Sequence, residues 1–89
     1  MIETQLTIIN KLGLHARAAA KLAATAGGFR CNVRTGKDAR LVDAKSVMSL
    51  MLLAASQGTV LNFQFDGDDE QDAHAAVSRL LADAFGEEQ

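Results

Sequence analysis

Residues Asn10–Ala24 read NKLGLHARAAAKLAA, and the fold turns on how that join is parsed. The first six residues, with their Asn and Gly, form a turn. From Ala16 onward almost every residue favours helix, up to Gly27-Gly28, a pair suited to a helix stop. What precedes the turn must then be a separate element, and Ile2 to Ile9 alternates as a strand does. Ile2, Leu6 and Ile8 lie on one side, Gln5 and Thr7 on the other. His15 falls at the junction between turn and helix.

Working outward, Phe29, Cys31, Val33 and Thr35 alternate with Arg30, Asn32 and Arg34, which predicts a second strand. The segment TGKDA (35–39) turns the chain, and Ala39 to Val42 reads as a short third strand. Ser46 is a good cap for a second helix, VMSLMLLAAS (47–56), ended by Gln57-Gly58. Val60 to Phe65 forms a fourth strand, with Leu61, Phe63 and Phe65 opposite Asn62 and Gln64. After a polar turn at Asp66–Asp69, Ala73, Val77, Leu80, Leu81 and Ala84 recur as the apolar stripe of a last helix. Asp68 or Asp69 can cap it, and Glu70 and Asp72 suit the positive end of its dipole.

The order is βαββαβα. Each strand has one apolar face and each helix one apolar stripe, so two layers pack with the helices on one face of the sheet. The other face carries Arg30, Arg34, Asn62 and Gln64 and meets water, which an antiparallel sheet allows. The expected class is α+β, an open-faced β-sandwich.

Composition narrows the function. The chain has 89 residues, the size of one small domain spanning 1–89, with 48% hydrophobic and 22% charged residues. It has no Trp, Tyr or Pro and only four Phe, so its core is mostly aliphatic. A net charge of −2 argues against nucleic acid as a partner. The one local basic group, Arg30, Arg34, Lys37 and Arg40, reads as the solvated face of a hairpin. A single cysteine, Cys31, has no partner for an internal disulfide, in keeping with a reducing compartment, and it reads as a small inward strand residue. The N-terminus lacks the pattern of a signal peptide. The longest apolar run, Leu50 to Ala55, falls far short of the ~20 residues that span a bilayer, so no membrane role and a cytoplasmic location are expected.

Among the polar residues, His15 stands out. At a helix N-cap, backbone N–H groups point outward unpaired beside the positive end of the helix and bind phosphate readily. Those of Ala16 and Arg17 lie nearest. Histidine caps poorly compared with Ser, Asp or Asn, so its presence asks for a reason. A neutral imidazole is a nucleophile, and the Arg17 guanidinium could bond an oxyanion on the ring. The plainer alternative is a cap that happens to be histidine. Other candidates fare worse. DGDDEQD (66–72) lacks the rest of an EF-hand loop, and Gly36-Lys37 has Cys31 where a phosphate-binding loop needs glycine. His74 has no Cys or His at ligand spacing, so neither metal nor cofactor is expected.

Three segments together carry a resemblance: GLHARAAAKL (13–22), DAKSVMSLMLLAASQGT (43–59) and DGDDEQDAHAAVSRLLADAF (66–85). They resemble the active-site segment, the regulatory-serine helix and the closing acidic turn and helix of the histidine-containing phosphocarrier (HPr) family of the bacterial phosphotransferase system. The resemblance covers essentially the whole chain. It implies a four-stranded antiparallel sheet with three helices on one face. It implies that His15 accepts a phosphoryl group on Nδ1 from the phosphoenolpyruvate-dependent enzyme I and passes it to IIA-type domains, as a carrier rather than an independent catalyst. Ser46 would match the serine phosphorylated by an HPr kinase/phosphorylase, although Ser is also simply a good N-cap. Val47, Met48 and Met51 would form an exposed contact patch near His15, while Leu50 and Leu53 enter the core. The alternative is a helix buried all round.

NKLGLHAR (10–17) and LMLLAAS (50–56) resemble the proteobacterial and nitrogen-branch forms in particular. A role in sugar transport and one in nitrogen regulation use the same His15 chemistry. One position departs from the family: Ala18 stands where Pro is usual. In the first helical turn Pro is tolerated because its missing N–H has no partner there, so Ala should leave the fold intact. Two other classes of function compete. A binding module without phosphate relay is disfavoured by the presence of both His15 and Arg17. A hydrolase using His15 as base lacks a readable nucleophile or paired acid. A relay component that must release quickly is expected to be a monomer.

Overall fold

The computed structural model describes residues 1–87. Its elements are β1 (Ile2–Thr7), α1 (Ala16–Gly27), β2 (Asn32–Gly36), β3 (Val42–Asp43), α2 (Val47–Leu52), β4 (Val60–Asp66) and α3 (Glu70–Ala82), followed by a 3-10 turn at Ala84–Gly86. The strands form one antiparallel sheet in the order β1-β4-β2-β3. The expected α+β open-faced sandwich is the observed fold, with three helices on the apolar face.

Period-2 patterning places that face. Leu61, Phe63 and Phe65 of β4 are buried, with Phe63 and Phe65 stacked 5.8 Å apart. Across them lie Ala18, Ala19, Leu22, Ala23 and Ala26 of α1 and Ala73, Val77 and Leu81 of α3. The alanines give α1 a nearly flat face, and its closest neighbours are α2, α3 and the 3-10 turn. Three of the four phenylalanines (63, 65 and 85) are buried, so aromatic rings contribute more to the core than the composition suggested. On the opposite face Gln5 bonds Asn62 and Gln64 bonds Glu3 across the β1–β4 pair, in water. Arg30, Arg34, Lys37 and Arg40 are all exposed.

Several boundaries differ from those read along the chain, among them the end of α3, which stops at Ala82 and leaves Ala84 in the 3-10 turn. β1 ends at Thr7 rather than Ile9, although Ile8 still exchanges backbone bonds with Gly58 and Thr59. β2 begins at Asn32 rather than Phe29, because the N–H groups of Arg30 and Cys31 donate to the Asp69 carboxylate at 2.8 and 2.9 Å instead of to a neighbouring strand. β3 is Val42–Asp43 rather than Ala39–Val42. At Gly36 a Cβ would lie 1.8 Å from the Arg40 carbonyl oxygen, so the hairpin closes tightly there and residues 37–41 belong to its loop.

The largest difference is α2, which spans six residues and not ten. Leu53 caps it, and Ala54 turns into the left-handed region at φ 51°. Leu53 and Ala54 are good helix formers, but the chain must reverse here so that Gly58 and Thr59 can pair with Ile8 before β4. Tertiary pairing overrides local propensity.

Candidate functional site

The turn before α1 is held from several directions. Gly13 sits at φ 71°, where glycine is strongly favoured, and a Cβ on it would lie 2.6 Å from the Ala55 carbonyl oxygen. The next residue, Leu14, donates its N–H to that same carbonyl at 2.8 Å. This ties the loop before α1 to the loop after α2. Asn10 is buried, and its Nδ2 donates to Gly13 O at 2.7 Å. The chain therefore reaches His15 in a fixed direction.

His15 is the N-cap of α1, with extended backbone (φ −75°, ψ 178°), and its carbonyl accepts the first helical bond from Ala19. The Arg17 N–H donates to Nδ1 at 3.3 Å. A donor facing Nδ1 favours a lone pair there, and the carboxylate of Glu87, which can only accept, calls for the ring proton on Nε2. Nε2–H in turn donates to a Glu87 carboxylate oxygen. The ring is thus oriented at both nitrogens, Nδ1 towards the helix amide and Nε2 towards the carboxylate. The other Glu87 oxygen accepts from Asn10 Nδ2 at 2.9 Å. These bonds, first from Asn10 and then from His15, hold the Glu87 carboxyl below its ordinary value, so it faces the imidazole as a carboxylate.

Of the residues singled out from the sequence, His15 and the backbone of Ala16 and Arg17 meet at this point. The Arg17 side chain is exposed, and no carboxylate pairs with it among the described residues. Ala18 is buried, one residue before the helical ladder starts at Ala19, so its N–H lies where a proline would be tolerated. Ser46 caps α2, its Oγ accepting from Ser49 N at 3.3 Å. No hydrogen bond joins Ser46 to His15 among the described residues.

On α2, Leu50 is fully buried and Leu53 partly so, while Val47, Met48 (73% exposed) and Met51 face solvent. Leu52 (82%) and Leu12 (72%), in the turn before His15, are also exposed, and neither was singled out from the sequence. Nor were Asn10 and Glu87. Glu87 is 72 residues from His15 and belongs to no periodic element, so no spacing rule reaches it.

The other histidine and the cysteine have structural surroundings. His74 packs against Phe65. Cys31 is buried, and burial pushes its thiol up, with the Asp69 carboxylate adding to the effect. Among the described residues no cluster of His, Cys, Asp and Glu could hold a metal ion, and no helix is long and apolar enough to cross a membrane.

A helix-capping imidazole on a βαββαβα sandwich has close parallels. The family described as the PTS HPr component phosphorylation site matches residues 2–83. The phosphocarrier protein HPr of Xylella fastidiosa (strain Temecula1) is 51% identical over 88 residues, 99% of each chain. That of Cupriavidus necator is 51% identical over 87 residues, 98% of each. Among solved structures, HPr from Thermoanaerobacter tengcongensis superposes with a TM-score of 0.95 at 44% identity, covering all of both chains. The chain belongs to the HPr family, the phosphocarriers of the phosphotransferase system.

Proposed function

We propose that His15 of this protein is the phosphoryl acceptor: Nδ1 takes a phosphoryl group, derived from phosphoenolpyruvate, from enzyme I and passes it to IIA-type domains. The observation that carries this reading is the state of the ring. Arg17 N–H donates to Nδ1 and Nε2 faces the Glu87 carboxylate, so the nitrogen at the helix N-terminus is the one that carries the lone pair rather than the proton. Once Nδ1 is phosphorylated, the amides of Ala16 and Arg17 are placed to bond phosphoryl oxygens, and the exposed Arg17 guanidinium can reach them from outside. The protein is a carrier, not an independent catalyst, and acts as one domain over residues 1–89 in the cytoplasm.

Val47, Met48 and Met51, exposed on a helix packed against α1, form the partner-contact surface. Methionine side chains adapt to more than one partner, which suits a protein that must meet a donor and several acceptors. Ser46 is a site for an HPr kinase/phosphorylase, since a phosphate there would sit at the start of a helix that tolerates negative charge.

The test is direct. Incubation with phosphoenolpyruvate and a cognate enzyme I should add roughly 80 Da in acid-labile form. His15→Ala should take up no label while remaining folded. An unlabelled wild-type protein, or a His15→Ala variant labelled as well as wild type, sinks the reading. With ATP and a cognate kinase, any label should be acid-stable and absent in Ser46→Ala. Supplying phosphorylated protein to IIA domains of the sugar and nitrogen branches separates those two roles.

A further inference from the structure

Glu87 lies beyond residues 2–83, the span matched to the family, and beyond α3, yet it makes the polar contact to Nε2 of His15. The route that brings it there is well anchored. Phe85 is buried in a left-handed conformation (φ 57°), and Lys21 Nζ, from α1, donates to its carbonyl at 2.7 Å. Gly86 N and Glu87 N donate to Asp83 O and Ala84 O at 2.8 and 3.0 Å. Both carboxylate oxygens are then used, Oε1 by the buried Asn10 amide and Oε2 by the imidazole. Asn10 spends its other N–H on Gly13 O, so a single buried amide links the carboxylate to the turn that aims His15. Among the described residues no other carboxylate contacts this ring.

We propose that Glu87 is a positioning residue for phosphoryl transfer: it holds the His15 ring proton on Nε2, leaves Nδ1 as the nucleophile, and faces the charge the ring gains on phosphorylation. This rests on His15 being the acceptor. In the step itself the Nδ1 lone pair forms a bond to phosphorus. The bond between phosphorus and its donor atom on enzyme I breaks, and that electron pair leaves with the donor. The ring keeps its Nε2 proton and gains one positive charge, directly opposite the carboxylate. The reverse follows on delivery to the acceptor: the N–P bond breaks, its pair returns to Nδ1, and the charge on the ring disappears. Carboxylates that orient an imidazole and stabilise its cation act in this way in hydrolytic triads.

Two readings on full-length protein test it, one of them independent of phosphate. In 15N-edited NMR spectra of the unphosphorylated, neutral imidazole, wild type should show a single Nε2–H tautomer. Glu87→Ala should show a mixture of the two tautomers. The same variant should accept phosphoryl from phosphorylated enzyme I at a rate lowered by about tenfold or more, less than the roughly hundredfold a true general acid or base contributes because no proton moves to Glu87. Glu87→Gln keeps an acceptor oxygen without the charge, so it should restore the single tautomer and only part of the rate.

A single tautomer retained in Glu87→Ala overturns the proposal, whatever happens to the rate. So does a tautomer mixture with transfer unchanged, and so does a Gln variant that matches Ala in both readings. Failure of the phosphocarrier reading would look different: wild-type protein would take up no label while its imidazole spectrum still showed the single tautomer.

Discussion

His15 and Ser46 hold the same position on two helices, each side chain accepting a first-turn N–H at 3.3 Å, yet the surroundings diverge. α1 runs for twelve residues and buries five of them, so its start is a rigid platform. α2 runs for six and buries only Leu50, with its other large apolar side chains mostly in solvent. The difference teaches where precision is needed. A nucleophile must be aimed, and its helix is anchored along its length. A contact surface must adapt, and its helix hangs from one side chain and from the loop that Leu14 ties to Ala55.

That contrast can be broken most severely at Leu50. Leu50→Ala empties the only fully buried position of α2 and should cost about 3 kcal/mol, as large-to-small changes in packed cores do. Leu52→Ala, two residues on and exposed, should lie within about 0.5 kcal/mol of wild type. Urea unfolding of the two variants measures both. Equal costs would mean that α2 is held by its outer face and is not the loosely anchored element described.

The next effect is expected at Gly13, where the two regions touch. Gly13→Ala must keep φ 71° with a Cβ 2.6 Å from Ala55 O, so the loop has to shift. Strain of this kind costs on the order of 2 kcal/mol, seen as a fall in Tm of roughly 10 °C for a domain of this size. An unchanged Tm would show that the loops before α1 and after α2 are not locked together.

The caps give the finest comparison by substitution. Ser46→Ala should cost about 1 kcal/mol, the usual worth of a serine cap, in thermal or urea unfolding. His15→Ala should cost no more, since histidine caps less well. A much larger loss in His15→Ala would mean that the imidazole contacts support the fold as well as the chemistry.

The order of elements and the faces of every strand were legible because period-2 and helical patterns survive wherever one face is buried: Leu61, Phe63 and Phe65 against Asn62 and Gln64, or Ala73, Val77 and Leu81 along α3. Boundaries were less legible where long-range bonds compete with local preference. Ala54 is a helix former placed in a left-handed turn because residues 58 and 59 must pair with Ile8, and Phe29 and Arg30 alternate as a strand that Asp69 forestalls. In the site, His15 was visible as an odd cap. Asn10 reads as an ordinary turn residue and Glu87 as part of a polar tail, and only the folded chain brings them to the imidazole.

Asp69 ties a third junction of the fold, and its titration is felt in acid. It occupies the N-cap of α3 but makes no capping bond with its side chain. Its two oxygens instead accept the N–H groups of Arg30 and Cys31, tying the start of β2 to the start of α3. Those donors, Arg30 first, favour the charged form and hold the carboxyl below its ordinary value. A carboxyl depressed in the folded state contributes stability that is present above its unfolded value, about 3.9, and is lost as pH falls through the folded one. Glu70 and Glu87 are shifted the same way, by the Gly67 N–H and by Asn10 respectively, and share the same acid window. Urea midpoints of wild type should therefore be steady near neutrality and drop below about pH 4. Asp69→Asn can offer only one oxygen to two donors and cannot titrate. It should start less stable at neutral pH and show a shallower acid decline, the remainder coming from Glu70 and Glu87. A variant with the full wild-type decline would place the acid sensitivity in those two glutamates and remove the Asp69 tie from what holds β2 to α3.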